Sequence, residues 1–231
     1  DAFKEDPLRV LRVARFAAKL NGNGFRVDED TMIEIQKIVA SGELTTLSRE
    51  RIWMETYKAL TTDNPEVYFK LIEDCGALSQ ISSVSQLDTS FLAKATKTQT
   101  DPNARWTCLV ASNTSLEDIN NSFNVPKEYK EISEVCRLII TFKKLDSVNA
   151  NDIIELADKT DIYRKEDRFL KAEKLSTFCI DNNSDQSLDW NKIVKLINDI
   201  KASSDLKEGK LIAKKLREDR LNAIQLYLSE L

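Results

Sequence analysis

The sequence predicts an all-α fold, and three observations carry that prediction. Gly (5) and Pro (4) are scarce in 231 residues, whereas sandwiches and barrels need many turn residues of these types. Apolar residues recur at helical spacing in one segment after another. No segment shows the apolar–polar alternation of a half-buried strand.

The elements follow in order. Asp6-Pro7 opens a helix, since Asp can cap and Pro suits the first helical position. Leu8, Val10, Leu11, Ala14, Ala17, Ala18 and Leu20 continue it at helical spacing, and Asn21-Gly22-Asn23-Gly24 stops it. Asp28 caps a second helix with Met32, Ile35, Ile38 and Val39 on one face, ended by Ser41-Gly42. Ser48 starts a third, with Glu50 in its first turn and Ile52, Trp53, Tyr57, Ala59 and Leu60 on its apolar side. Asn64-Pro65 opens a fourth, through Val67, Phe69, Leu71 and Ile72, closed by Gly76. The segment 79–103 is rich in Ser, Thr and Gln and reads as short helices and loops. Helices are predicted over 104–111, 115–122, 126–145, 149–158, 164–180, 188–203 and 206–231.

Composition sets bounds on function. Hydrophobic residues make up 42%, charged residues 31%, and the net charge is −4. That excludes a surface basic all over but leaves room for a local basic patch. There is no histidine, so Ser-His-Asp and Cys-His catalysis and histidine-based metal sites are impossible within the chain. Cys75, Cys108, Cys136 and Cys179 form no CxxC pair; they read as buried free thiols in a reducing cytoplasm, not as a zinc site or a disulfide framework. No apolar run approaches the ~20 residues of a membrane span, and no signal peptide opens the chain. The first residue is Asp, not Met, as in a fragment or a processed product.

The sharpest feature is Glu5-Asp6-Pro7-Leu8-Arg9-Val10-Leu11-Arg12-Val13-Ala14-Arg15-Phe16. Glu5 and Arg9 are four apart; Asp6, Arg9, Arg12 and Arg15 follow at intervals of three, so on a helix they share a face. A guanidinium oriented by a carboxylate presents donors and acceptors in one plane, as reading the edge of a nucleobase requires. Arginines one turn further on could take phosphate charge. The same spacing equally describes a capped helix with a solvated ladder of weak ion pairs.

Here the sequence resembles a known family. Glu-Asp-x-x-Arg followed by x-x-Arg-x-x-Arg-Phe-Ala is similar to the nucleotide-selecting motif of class II tRNA nucleotidyltransferases and bacterial poly(A) polymerases. The stretch from Leu47 to Leu60 resembles that family's next helical motif. Asn64 to Phe69, then Asp74 to Leu78, resemble the end of the neck in the bacterial CCA-adding branch. Phe123 to Glu128 and Asp161 to Lys165 are similar to the body of that branch, and Gly209 to Ile212 with Arg217 to Leu221 to its tail.

The resemblance implies a neck over 1–78, a body over 79–168 and a helical tail over 169–231. It implies an amino-terminal head, absent from this chain, that holds Mg²⁺ and transfers nucleotides to the tRNA 3′ end. Asp6 and Arg9 would pair with the base of CTP or ATP, Glu5 would orient Arg9, and Arg12 would help bind the nucleotide. No catalytic or metal-binding residue is expected in this chain, which alone should be inactive. Partners would be tRNA, CTP and ATP, in the cytoplasm and without a membrane. Trp53 and the Asp74–Leu78 stretch favour CCA addition over poly(A) addition. A non-catalytic helical RNA-binding or interaction module is the reading from another class.

Many bacterial members of that family carry a His-Asp phosphohydrolase pair in the body, and the stretch here that resembles its place is Arg105-Trp106-Thr107-Cys108-Leu109-Val110-Ala111-Ser112-Asn113. Either this body is a degenerate one that has lost its metal chemistry, or it is a shortened scaffold; in both cases phosphatase activity is expected to be absent. Trp53, Trp106 and Trp190 read as core anchors rather than base-stacking platforms. Lys207, Lys210, Lys214, Lys215, Arg217 and Arg220 form the densest basic cluster, either a solvated helix face or, given an RNA partner, a backbone-binding patch.

Overall fold

The computed structural model describes residues 6–113, 115–180, 188–201 and 209–231. Every regular element among them is helical. The helices are α1 (Leu8–Leu20), α2 (Glu29–Ala40), α3 (Arg49–Leu60), α4 (Pro65–Asp74), α5 (Ala77–Ile81), α6 (Ser90–Thr96), α7 (Pro102–Val110), α8 (Leu116–Ser122), α9 (Lys127–Lys143), α10 (Ala150–Thr160), α11 (Glu166–Ser176), α12 (Trp190–Asp199) and α13 (Gly209–Ser229). The chain divides into two compact units, Asp1–Glu134 and Val135–Leu231, with the boundary inside α9.

Local chemistry sets the first boundaries. Asp28 Oδ1 accepts the N–H of Thr31 at 2.8 Å, fixing the start of α2. Ser48 Oγ accepts the N–H of Arg51 at 3.4 Å at the head of α3. Gly76 takes the left-handed conformation, φ 81°, between α4 and α5, where a side chain would be strained.

In the first unit α1 lies against α3 and α4 and buries Leu8, Val10, Leu11, Ala14 and Ala18. The core runs on without a break from these residues to Trp106, Phe123 and Tyr129. The expected boundary at 78/79 thus falls inside one unit with one core, and that at 168/169 inside the second. Trp53 meets Trp106 and Tyr129 edge-on, with ring centroids 5.5 and 5.2 Å apart. In the second unit Trp190 packs on Phe142 and Phe169. All three tryptophans are core anchors, and all four cysteines are buried and outside any disulfide.

The stretch around Arg105 is interior. The Arg105 guanidinium, 4% exposed, donates from Nη1 to the carbonyls of Leu60 (2.6 Å) and Thr62 (2.8 Å) and from Nε to Gln99 (2.7 Å). It closes the carboxy-terminal end of α3, where helix carbonyls lack partners of their own. Trp106 Nε1 donates to Asn120 Oδ1 at 2.9 Å, and Asn120 Nδ2 donates to Ser133 Oγ at 3.3 Å.

The predicted helix over 164–180 ends earlier, at Ser176, and tightens into a 3₁₀ turn over Thr177–Cys179. No helix among the described residues is long and apolar enough to cross a membrane.

Candidate functional site at the start of the first helix

Asp6 stands just before α1, exposed, and its Oδ1 accepts the N–H of Leu8 at 3.1 Å. Its other oxygen takes the Arg51 guanidinium of α3 at 2.5 Å. Partial burial pushes the Asp6 carboxyl up, but the Leu8 N–H, the Arg51 hydrogen bond and charge, and the charge of Arg12 outweigh it and hold the pKa below the ordinary value. Asp6 is therefore an ionised acceptor at neutral pH, fixed from two sides.

One turn on, Arg9 projects from the same helix end, and its Nη2 lies 3.4 Å from Glu34 Oε2 of α2. Both side chains are about half exposed, so this pair constrains Arg9 weakly. Arg12 is exposed on the next turn. The structure thus gathers Asp6, Arg9, Arg12 and Arg51 at one end of α1. Glu5 lies outside the described residues. An anionic acceptor beside several guanidinium donors is an arrangement able to read a base edge and to hold phosphate charge.

Arg15 leaves that set. Its Nε donates to Glu55 Oε2 at 2.6 Å, and Glu55 Oε1 is reached by Lys58 Nζ at 3.1 Å. The Glu55 side chain is only 4% exposed. The Arg15 guanidinium also lies over the Phe16 ring, 4.2 Å from its centroid. Arg15 ties α1 to α3; it is not a free phosphate ligand.

The sequence alone does not mark Arg51 and Glu34 as site residues. Arg51 lies 45 residues from Asp6, and the only signal for it is its place in the second family-like motif, one helical turn after the Ser48 cap.

Four residues of the carboxy-terminal basic cluster have partners within the fold. Lys214 pairs with Glu218 and Lys215 with Asp219, each across one turn of α13. Arg217 pairs with Asp158 of α10. Arg220 stacks on Tyr163 at 3.9 Å and donates to the Ile197 carbonyl at 3.0 Å. Lys210 is exposed, and Lys207 lies outside the described residues. Lys214, Lys215 and Arg217 thus each lie beside a carboxylate of the fold. Among the described residues no group of three or more Cys, Asp or Glu side chains could hold a metal ion.

Comparison with known proteins gives the relatives of the chain. The family described as the probable RNA and SrmB-binding site of polymerase A matches residues 24–84. A CCA-adding enzyme of Pseudomonas putida is 38% identical over 176 residues, 73% of this chain and 47% of that protein. A multifunctional CCA protein of another Pseudomonas putida strain is 37% identical over 186 residues, 77% of this chain and 49% of that protein. A multifunctional CCA protein of Vibrio cholerae is 59% identical over 80 residues, 35% of this chain and 20% of that protein. The chain spans about half the length of the curated relatives it matches. No solved structure matches it. On its motifs, its all-helical fold and these relatives, the chain belongs to the class II tRNA nucleotidyltransferase family of CCA-adding enzymes and bacterial poly(A) polymerases.

Proposed function

We propose that this chain is the neck, body and tail of a cytoplasmic tRNA CCA-adding nucleotidyltransferase, and that the start of α1 selects CTP and ATP. The observation that carries this reading is the ionised Asp6 held beside Arg9 and Arg12 at an exposed helix end. Asp6 accepts a hydrogen bond from the exocyclic amino group that cytosine and adenine share and uracil lacks. Arg9 donates to a ring or carbonyl acceptor beside it, with Glu5 orienting the fork, and Arg12 takes triphosphate charge. Mg²⁺ that activates the attacking hydroxyl would be held by the catalytic head that the family resemblance implies. The helical remainder binds tRNA.

The test is Arg9→Ala in the full-length enzyme. Loss of a bidentate base contact costs ~1–3 kcal/mol of discrimination. CTP and ATP should lose their advantage over UTP and GTP, while tRNA affinity should hardly change. Incorporation of all four nucleotides and tRNA binding are measured side by side. Intact nucleotide preference with collapsed tRNA binding would make Arg9 an RNA-backbone residue and end the templating role. Poly(A) addition is separated in the same assay, because it needs no CTP.

A further inference from the structure

At the far end of α1, roughly 20 Å from Asp6 by the rise of a 13-residue helix, the first unit opens into a groove of about 360 Å³. Its floor is apolar, built from Met32 of α2 and Val67 and Leu71 of α4. Phe25 stands on its rim, 59% exposed, the most exposed aromatic side chain among the described residues. The loop behind the ring is pinned: Arg26 Nη1 donates to the Phe25 carbonyl at 2.7 Å and to Asn21 Oδ1 at 3.0 Å. Arg26 and Lys70 flank the groove, with Asp74 on the same rim, leaving one net positive charge there.

We propose that this groove binds one unpaired nucleotide of an RNA, its base stacked on Phe25 and its phosphates met by Arg26 and Lys70. An aromatic held in water on a fixed loop is a prepaid stacking platform, because little conformational freedom is lost when a base covers it. The cations match an anionic backbone. Two of them offset by a carboxylate suit a single nucleotide, whereas a duplex needs a longer cationic track. The apolar floor accepts the second face of a base or its ribose. This deepens the proposed function and rests on RNA being the partner, but it uses none of the residues that select CTP and ATP.

The test is fluorescence anisotropy of a labelled single-stranded oligoribonucleotide with the full 231-residue chain. Phe25→Ala should weaken binding roughly 5- to 100-fold, the range for loss of one stacked base. Phe25→Trp should bind like the parent, and its fluorescence should be quenched by the RNA, which also shows that the loop tolerates substitution. Lys70→Ala should lower the slope of log affinity against log salt by about 0.7, one single-strand phosphate contact. Unchanged affinity for Phe25→Ala overturns the inference, as does a parent chain without affinity for the oligonucleotide. If Phe25→Ala keeps RNA affinity but loses a protein partner, the groove is a protein-docking site and the inference is overturned. Since Arg9→Ala is scored on nucleotide preference, failure of either idea is read independently of the other.

Discussion

Replacing Arg15 by Met should destabilise the first unit by about 2 kcal/mol, a value that follows from the surroundings of Glu55. Breaking a fully buried pair by removing one partner costs ~3–5 kcal/mol, chiefly because a charge is left behind. Glu55 is 4% exposed, but Arg15 is 17% exposed, and Lys58 stays 3.1 Å from the second Glu55 oxygen. Both facts pull the cost below the fully buried range. At ~2–4 °C per kcal/mol for a chain of this size, the melting temperature should fall by roughly 4–8 °C. The double variant Arg15→Met, Glu55→Met should recover part of the loss, because it removes the stranded charge as well.

Acid adds a second handle on the same pair. Burial pushes the Glu55 carboxyl up, but the hydrogen bonds and charges of Arg15 and Lys58 outweigh it, and its pKa lies below the ordinary value. A carboxylate depressed in the folded state stabilises above its unfolded pKa of ~4.3 and loses that contribution as pH falls through the folded pKa. The stability gap between the parent and Glu55→Gln should therefore be constant near neutrality and close in acid. Circular dichroism melts of the four proteins from neutral pH downwards measure all of this. A cost for Arg15→Met within ~0.5 kcal/mol of zero, the value of an exposed pair, would refute the claim that this contact ties α1 to α3.

Arg105→Met should cost about 3 kcal/mol in the same melts, since it strands the Leu60, Thr62 and Gln99 carbonyls at ~1–3 kcal/mol each before relaxation; Arg105→Lys should rescue little, because an ammonium cannot span the fork. Arg51→Ala should raise the Asp6 pKa toward its ordinary value, followed by NMR titration of the side-chain carboxyl, and an unmoved pKa would show that Arg51 does not hold Asp6. The 231-residue chain by itself should add no nucleotide to a tRNA lacking its 3′ end with CTP, ATP and Mg²⁺, because the proposed function assigns the activating metal to the catalytic head that the family resemblance implies; incorporation above a blank by the pure chain would contradict this.

Much of the first unit could be read from the sequence because its boundaries rest on local chemistry. Asp28 and Ser48 cap through bonds three residues long, and Asn64-Pro65 and Gly76 mark the ends of α4 by backbone geometry. Segment 79–103 was harder. Ser, Thr and Gln blur its period, and α6 is set by burial of Leu92 and Ala95 against α4 and α7, which periodicity does not encode. The carboxy-terminal cluster shows both cases at once. Lys214–Glu218 and Lys215–Asp219 are visible at i, i+4. Arg217 on Asp158 and Arg220 on Tyr163 are tertiary, and no count of lysines and arginines reveals that they are spoken for.

The site at the start of α1 shows the same division within a few residues. Spacing along one helix places Asp6, Arg9 and Arg12 together, but it treats Arg15 as their equal. What separates them lies on α3. Arg51 comes to Asp6 and Glu55 to Arg15, so two residues one helical turn apart on α3 give opposite fates to Asp6, just before α1, and Arg15, within it. Arg51, at the exposed end, fixes Asp6 and leaves it in reach of solvent. Glu55, at the buried end, draws Arg15 down into the packing. The two motifs that a single sequence shows as separate stretches thus meet in one structure, in which α3 determines which charges at the start of α1 stay exposed and which are drawn into the packing.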